Sequence, residues 1–297
     1  MTVRSPDNSR EILARAWAWH TWQPRWLPGH VQGAIRRLAL GRIRRHGLVE
    51  CRLDSGQRFL VDPAEVIQCH IGTRGEWEGD IFKALRPLVQ GGDVVLDIGA
   101  HVGYSTVVFA EWVGASGKVY SFEPFPPHVE RIRANLAMNE IESRVEVIAA
   151  AVNDTAGLVD LYLPGSLNSG VGSLSKPNRK TRSVSVQALR LDDFIQSHEI
   201  KSVALCKLDV EGAEGHALAG MTESLAAHIV KDFLVELHPD ELRALGDTTE
   251  GVLEMLRENG YAIRHWHPSG KFTEGKSNGE YAYVLATLRR DFGEHGV

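Results

Sequence analysis

From residue 94 onward, the spacing of apolar positions switches repeatedly between a period of two and a period of three to four. Short β-branched runs at 94–98, 119–122, 145–152, 203–209 and 232–237 predict strands. Between them, helical spacing covers about 103–112, 127–139, 213–227 and 249–259, the last closed by Gly260. Alternating strands and helices predict an α/β, doubly wound, mostly parallel sheet with right-handed crossovers. Residues 261–266 and 281–288 read as a closing antiparallel pair, for seven strands in all. In such sheets a ligand sits beyond the carboxyl ends of the strands, where the strand order reverses.

Two stretches depart from this rhythm. Residues 158–163 and 183–191 alternate as strands around a polar loop at 166–180, so 158–190 predicts a hairpin insertion beside the substrate. Leu191-Asp192-Asp193-Phe194 opens a short helix. Upstream, residues 48–61 alternate around Asp54-Ser55-Gly56 as a hairpin, and a helix near 76–89 leads into the first core strand. Residues 1–10 are expected to be disordered. Residues 11–46 form two helical pieces split by Pro24 and Pro28-Gly29. The chain thus divides into an extension, 1–75, and a main domain, 76–297.

Charge changes the picture of the extension. Residues 1–46 hold nine arginines against Asp7 and Glu11, a net of +7, while the chain is −5, leaving −12 for the rest. A body this acidic is a poor match for DNA or RNA, so no nucleic-acid partner is expected. The second helical piece places Val31, Ile35, Leu38 and Ile43 at helical spacing, with Arg36, Arg37, Arg42, Arg44 and Arg45 around them. One reading is a basic amphipathic helix on an anionic membrane or lipid-linked substrate. The other is a cap over the active site or a homodimer arm, favoured by four tryptophans that need packing: Trp17, Trp19, Trp22 and Trp26. Cys51, Cys69 and Cys206 are odd in number and far apart, which predicts reduced thiols and a cytoplasmic location. No apolar run has membrane-spanning length, and no secretory signal is expected.

The chemistry concentrates at 93–125. The strand at 94–98 runs into Asp97-x-Gly99-x-x-x-Gly103, and the next strand ends in Glu123. A strand that presents backbone N–H groups and a helix N-terminus, with an acid about twenty residues on, suits a nucleotide-like ligand. Dinucleotide enzymes need G-x-G-x-x-G to close on a pyrophosphate; here His101 stands at the second glycine position. The loop therefore suits S-adenosylmethionine (SAM), with Asp97 for its ammonium and Glu123 for its ribose diol. Gly99 and Gly103 let backbone approach the cofactor, Asn153 is the candidate for the adenine edge, and Tyr104 and Phe125 are candidate packing residues.

This segment resembles motif I of class I, Rossmann-like SAM-dependent methyltransferases. Further segments resemble the FkbM family, in family order over about residues 70–290. They are Gly75-Glu76-Trp77-Glu78, Glu123-Pro124, Asn135-Leu136-x-x-Asn139, Ala151-Val152-Asn153-Asp154, Lys207-Leu208-Asp209-Val210-Glu211-Gly212 and Glu236-Leu237-His238-Pro239. The departure is His101, where family members more often carry Asn or another small polar residue. On this resemblance Glu78, Ala100, His101 and Pro124 join the cofactor-binding set, with Asp209 shared between cofactor and acceptor.

The acceptor side has no Asn-Pro-Pro-Tyr motif of the kind that holds a neutral amine. Carboxylates and an imidazole stand there instead, which suits deprotonation of a hydroxyl. His238 is the expected general base, because an unperturbed imidazole titrates near neutral pH; Asp209 orients it and Glu236 completes the site. Glu211 is placed to favour the following helix N-terminus. Asp209, Glu236 and His238 form an alternative Mg²⁺ set, whereas His265 and His267 read as surface residues of one strand. The expectation is an O-methyltransferase whose acceptor, on the family resemblance, is a sugar, polyketide or other secondary metabolite. An NAD or nucleotide-sugar oxidoreductase is disfavoured by the absent G-x-G-x-x-G and Tyr-x-x-x-Lys. A non-enzymatic SAM-binding subunit is disfavoured by the acids of the acceptor side.

Overall fold

In the computed structural model, which describes residues 3–4, 6–22, 24, 28–163, 172–175, 181–274 and 282–289, an N-terminal unit precedes the main sheet. It holds β1 (Val3–Arg4), α1 (Pro6–His20), α2 (Gly29–Arg44), the hairpin β2 (Leu48–Arg52) and β3 (Arg58–Val61), and α3 (Val66–Arg74). Of the residues 1–10 expected to be disordered, 3–4 pair with β2 and 6–10 open α1, whose Ile12, Leu13 and Ala16 are buried with Cys69 and Ile71 of α3, while 1, 2 and 5 lie outside the described residues. Then follow α4 (Gly79–Leu85), β4 (Val94–Ile98), α5 (Tyr104–Val113), β5 (Lys118–Phe122), α6 (Pro126–Met138), β6 (Val145–Ile148) and β7 (Ala151–Val152). The insertion supplies β8 (Gly157–Leu163) and β9 (Arg182–Leu189), and α7 (Leu191–Ser197) leads back to the sheet. The remainder is β10 (Val203–Leu208), α8 (Glu214–Ala219), α9 (Thr222–Ala226), β11 (Val230–Leu237), α10 (Pro239–Leu245), α11 (Thr249–Glu258), β12 (Tyr261–His267), β13 (Lys271–Thr273) and β14 (Ala282–Leu288).

The main sheet runs β13-β12-β14-β11-β10-β4-β5-β6, eight strands among the described residues rather than seven, because β13 folds back on β12. From β11 to β6 all neighbours are parallel, and β14 is antiparallel to both β11 and β12. All six residues of β10 are buried, as a central strand covered on both faces demands. One face packs on Leu40, Ile71, Phe82, Phe109 and Ile132, the other on Leu191, Leu218, Leu225 and Leu256. On that second side lies α11. Thr248 caps it, accepting from Gly251 N at 3.0 Å, and it turns Val252, Leu253 and Leu256 inward.

Three expected elements take a different form. The strand expected over 145–152 splits. Glu123 N donates to Ile148 O as the last rung against β5, and beyond it Ala151 and Val152 find partners only on β9. The helix expected over 213–227 breaks at Gly220, where backbone closes on backbone: a Cβ there would lie 2.2 Å from Asn153 O. Asp192 then caps α9, accepting from Glu223 N, Ser224 N and Ser224 Oγ at 3.0, 2.9 and 2.6 Å. The helix expected over 76–89 is confined to α4 and a 3-10 turn, because Pro87 removes an N–H. The loop at 166–180 lies outside the described residues except for 172–175.

The Asn135…Asn139 pair turns out to be a structural clamp. Asn135 accepts from Leu60 N at 2.9 Å and donates to Val102 O at 3.0 Å, which ties the hairpin to the glycine loop. Asn139 accepts from Arg58 N and donates to Arg58 O. Replacing Asn135 with Ala leaves two buried backbone groups unpaired, at about 1–3 kcal/mol each. A melting temperature lowered by several degrees is expected for Asn135→Ala, and an unchanged melt would refute the clamp.

Candidate active site

At the carboxyl ends of β4 and β10 the sheet reverses its winding, and a cleft enclosing roughly 1060 Å³, its open mouth included, lies there. Its floor is the glycine loop. Gly99 N and Ala100 N both donate to Phe122 O, which lashes the loop to the end of β5. Gly99 adopts φ +83°, and a Cβ would fall 1.7 Å from Asp209 O, so any other residue would push β4 and β10 apart.

Glu123 sits where the sequence predicts, in the cleft wall after β5 and 6% exposed. Its Oε2 accepts from His101 N and its Oε1 from Phe125 N, both at 2.8 Å. Two backbone donors thus fix the carboxylate while each oxygen keeps a lone pair for a ligand. His101 adopts φ +53° and lines the same wall. Its ring stands edge-on to His128, with 4.5 Å between centres, and its Nε2 is buried with no partner among the described residues. Burial, helped by the charges of His128, Lys207 and Arg131, holds this imidazole well below its usual pKa. A neutral ring with an unmet nitrogen beside a fixed carboxylate fits a ligand rich in hydrogen-bonding groups, as an adenosine-bearing donor is.

Glu78, Ala100, Tyr104, Pro124 and Asp209 also line the cleft as expected, joined by Trp77, Phe82, Phe122 and Lys207. Other residues expected to contact the cofactor do not line the cleft. Asp97 is fully buried behind the wall, where Ser105 Oγ (2.8 and 2.9 Å) and Thr106 Oγ1 (2.6 Å) donate to it. Its carboxylate braces the start of α5 and does not line the cleft. Burial raises its pKa, against the pull of Lys207 and the two hydroxyls. Asn153 turns its amide to Thr155 Oγ1 at 3.4 Å, leaving Ala150, Ala151 and Val152 to form the wall. Gly103 starts α5, and Phe125 packs on His128; neither lines the cleft.

The acceptor end is a dense cluster of charge. Lys207 Nζ donates to Asp209 Oδ2 at 2.8 Å, and Tyr283 Oη donates to Glu78. His238 is buried, with Nδ1 3.0 Å from Glu214 Oε1 and Nε2 facing Glu211 (3.5 Å) and Glu236 (3.8 Å). Burial alone would lower its pKa, but Glu214, Glu211 and Asp209 push it up to about 10. The unperturbed imidazole expected here is therefore an imidazolium at neutral pH, and neither His238 nor Glu236 lines the cleft. Two carboxyls take over the neutral range. Burial, with Asp209 and Glu214 nearby, pushes Glu211 up to about 7, while burial, Asp209 and Glu78 push Glu236 up to about 8. Glu211 lines the cleft at φ +53°. Among the described residues six non-glycine positions are left-handed, and Glu78, His101 and Glu211 of these meet in this one cleft. Such strain gathers where function over-determines the backbone.

Among the described residues, the groups whose ligand atoms come together within 4.8 Å are Asp209, Glu211 and His238, rather than the expected Asp209, Glu236 and His238. They suit Mg²⁺ poorly: the hard cation prefers oxygen, and this imidazole is held protonated. Sequence reasoning missed Lys207, Glu214 and Tyr283 as site groups. Glu214, two residues past Gly212 in an acidic run, was within reach; Tyr283 comes from the far strand β14 with no local signal. The insertion reaches the cleft through Gly172 and Leu174, and Ser173 Oγ donates to Glu211 O at 2.7 Å.

A sheet that reverses at β4/β10, closes with an antiparallel β14, and sets a carboxylate after β5 is that of a class I, Rossmann-like methyltransferase. The chain belongs to the FkbM methyltransferase family: the family model "Methyltransferase FkbM domain" matches residues 97–263, more than half of its length. It is an enzyme that transfers methyl groups from SAM. It is 28% identical over 207 residues to the 31-O-demethyl-FK506 methyltransferase FkbM of Streptomyces tacrolimicus, covering 60% of this chain and 75% of that protein. It is 25% identical over 181 residues to the hexuronic acid methyltransferase AglP of Haloferax volcanii, covering 61% and 70%. Among solved structures, a Methyltransferase FkbM from Methylobacillus flagellatus aligns over 95% of this chain and 61% of its own, at 14% identity and TM-score 0.43. No helix among the described residues is long and apolar enough to cross a membrane.

Proposed function

We propose that the protein methylates a hydroxyl group of a small-molecule acceptor, a sugar or polyketide-like compound, and that Glu211 takes the hydroxyl proton. The observation that carries this is the acidic acceptor end. Asp209 and Glu211 line the cleft where an amine-specific site would offer neutral acceptors. SAM, when bound, supplies an electrophilic methyl on its sulfonium. Glu123 and the backbone of the glycine loop hold the nucleoside, with His101 Nε2 close by. Asp209, anchored by Lys207, and Glu78, anchored by Tyr283, bring negative charge to the cationic end of the donor. The aromatic wall of Trp77, Phe82 and Tyr104 excludes water from it.

Glu211 is held at the cleft edge by its strained backbone, by Ser173 on its carbonyl, and by the His238 cation behind it. Glu214 in turn fixes His238, so His238 is a positioning residue. Most of the rate enhancement of such an in-line transfer comes from orientation, up to roughly 7–11 kcal/mol. The names of two relatives, a hexuronic acid methyltransferase and a methyltransferase of 31-O-demethyl-FK506, support the acceptor class. The three free cysteines support a cytoplasmic location. Labelled methyl transfer from SAM to sugars and macrolides, beside matched amines, tests the reading. Transfer to hydroxyls is expected; transfer confined to amines would overturn it.

A further inference from the structure

The cleft makes no use of one face of the N-terminal unit. On α2 and its last turn, positions 34, 37, 38, 41, 42 and 45 recur at helical spacing and are all exposed. They present Arg37, Leu38, Arg42 and Arg45 side by side between the small residues Ala34 and Gly41. The opposite side of the same helix seats Leu40 and Ile43 in the core, while Arg44 pairs with Asp62 (3.3 Å) and Glu65 (3.5 Å). Arg37, Arg42 and Arg45 have no side-chain partner among the described residues. Leu38, in their midst, is 71% exposed, the most exposed large hydrophobic residue described.

We propose that this face docks the protein on an anionic lipid surface, with Leu38 entering the headgroup layer and the three arginines on the lipid phosphates. Guanidinium groups match phosphate oxygens in a fork, and their apolar stems lie readily along a headgroup region. Charge distribution sets the orientation. The first 46 residues carry +7 and the rest −12, so an anionic bilayer attracts the arm and repels the acidic body. The acidic body of a second copy is the competing partner, but it would set exposed Leu38 against charge. The unit that carries this face also touches the cleft wall. Trp17 of α1 stands edge-on to His70, and His70 to Trp77 in the cleft wall, with ring centres 5.3 and 5.2 Å apart.

Cosedimentation of the full chain with vesicles tests this, comparing phosphatidylcholine alone with phosphatidylcholine carrying about 30% phosphatidylserine. Binding is expected only to the mixed vesicles, at about 0.05 M salt, and is expected to fade at about 0.5 M. The exposed triple substitution R37E/R42E/R45E should abolish it, and Leu38→Ala should weaken it, both with an unchanged melting temperature and SAM affinity. Failure of the wild-type chain to bind the mixed vesicles overturns the proposal, as does undiminished binding by the triple variant. A dimer in sedimentation velocity that the triple variant dissolves, without vesicle binding, would assign the face to a second copy instead.

Discussion

Glu211→Gln is expected to lower kcat by about 10²–10⁴-fold, the span of a lost general base, with SAM affinity nearly unchanged. The substitution keeps the side-chain shape beside His238 and removes only the capacity to take a proton. The pH profile supplies a second readout. With the carboxyl pushed up to about 7 in the free enzyme, the base form accumulates as pH rises through that value, so wild-type kcat/KM should climb there. It should fall again as His238 loses its proton toward about 10, which removes the cation that positions Glu211. The variant should lack the climb near 7. A variant with full turnover and an unaltered profile would remove Glu211 from the chemistry and return attention to Glu236.

Glu123→Ala should act on binding rather than on turnover. The carboxylate accepts from His101 N and Phe125 N and faces the cleft, so its loss frees two half-buried donors and removes the contact proposed for the ribose. Hydrogen bonds to a charged group are worth about 1.5–3 kcal/mol each. SAM affinity should therefore drop on the order of a hundredfold, measured by calorimetry. Glu123→Gln, which keeps an oxygen for one of the two backbone donors, should fall between. An unchanged dissociation constant for Glu123→Ala would show that the nucleoside lies elsewhere.

Much of this site was legible in sequence because its backbone devices are local. Asp97, Gly99, Gly103 and Glu123 lie within one strand-loop-helix-strand unit, and their spacing fixes where the loop turns and the second strand ends. The roles of side chains were less legible, since they depend on neighbours brought from afar. Asp97 reads as a ligand contact, and only the fold shows Ser105 and Thr106 donating to it. His238 reads as a base until Glu214, 24 residues back along the chain, is found on its Nδ1. A single sequence does not report the local field, and the field decides which group titrates near neutrality. The split of the strand expected over 145–152 has the same origin: its apolar pattern is continuous, but its partners change from β5 to β9.

That change of partner joins two tasks that are separate in the chemistry. Ala151 and Val152 form part of the cleft wall and are hydrogen-bonded to β9, whose antiparallel mate β8 contributes Leu161 to the same wall. A hairpin remodelled to admit a different acceptor is expected to shift Ala151 and Val152 as well, because they pair with β9. Both tasks therefore share β9, and a graft of residues 157–189 between relatives is expected to replace the strand on which Ala151 and Val152 rest.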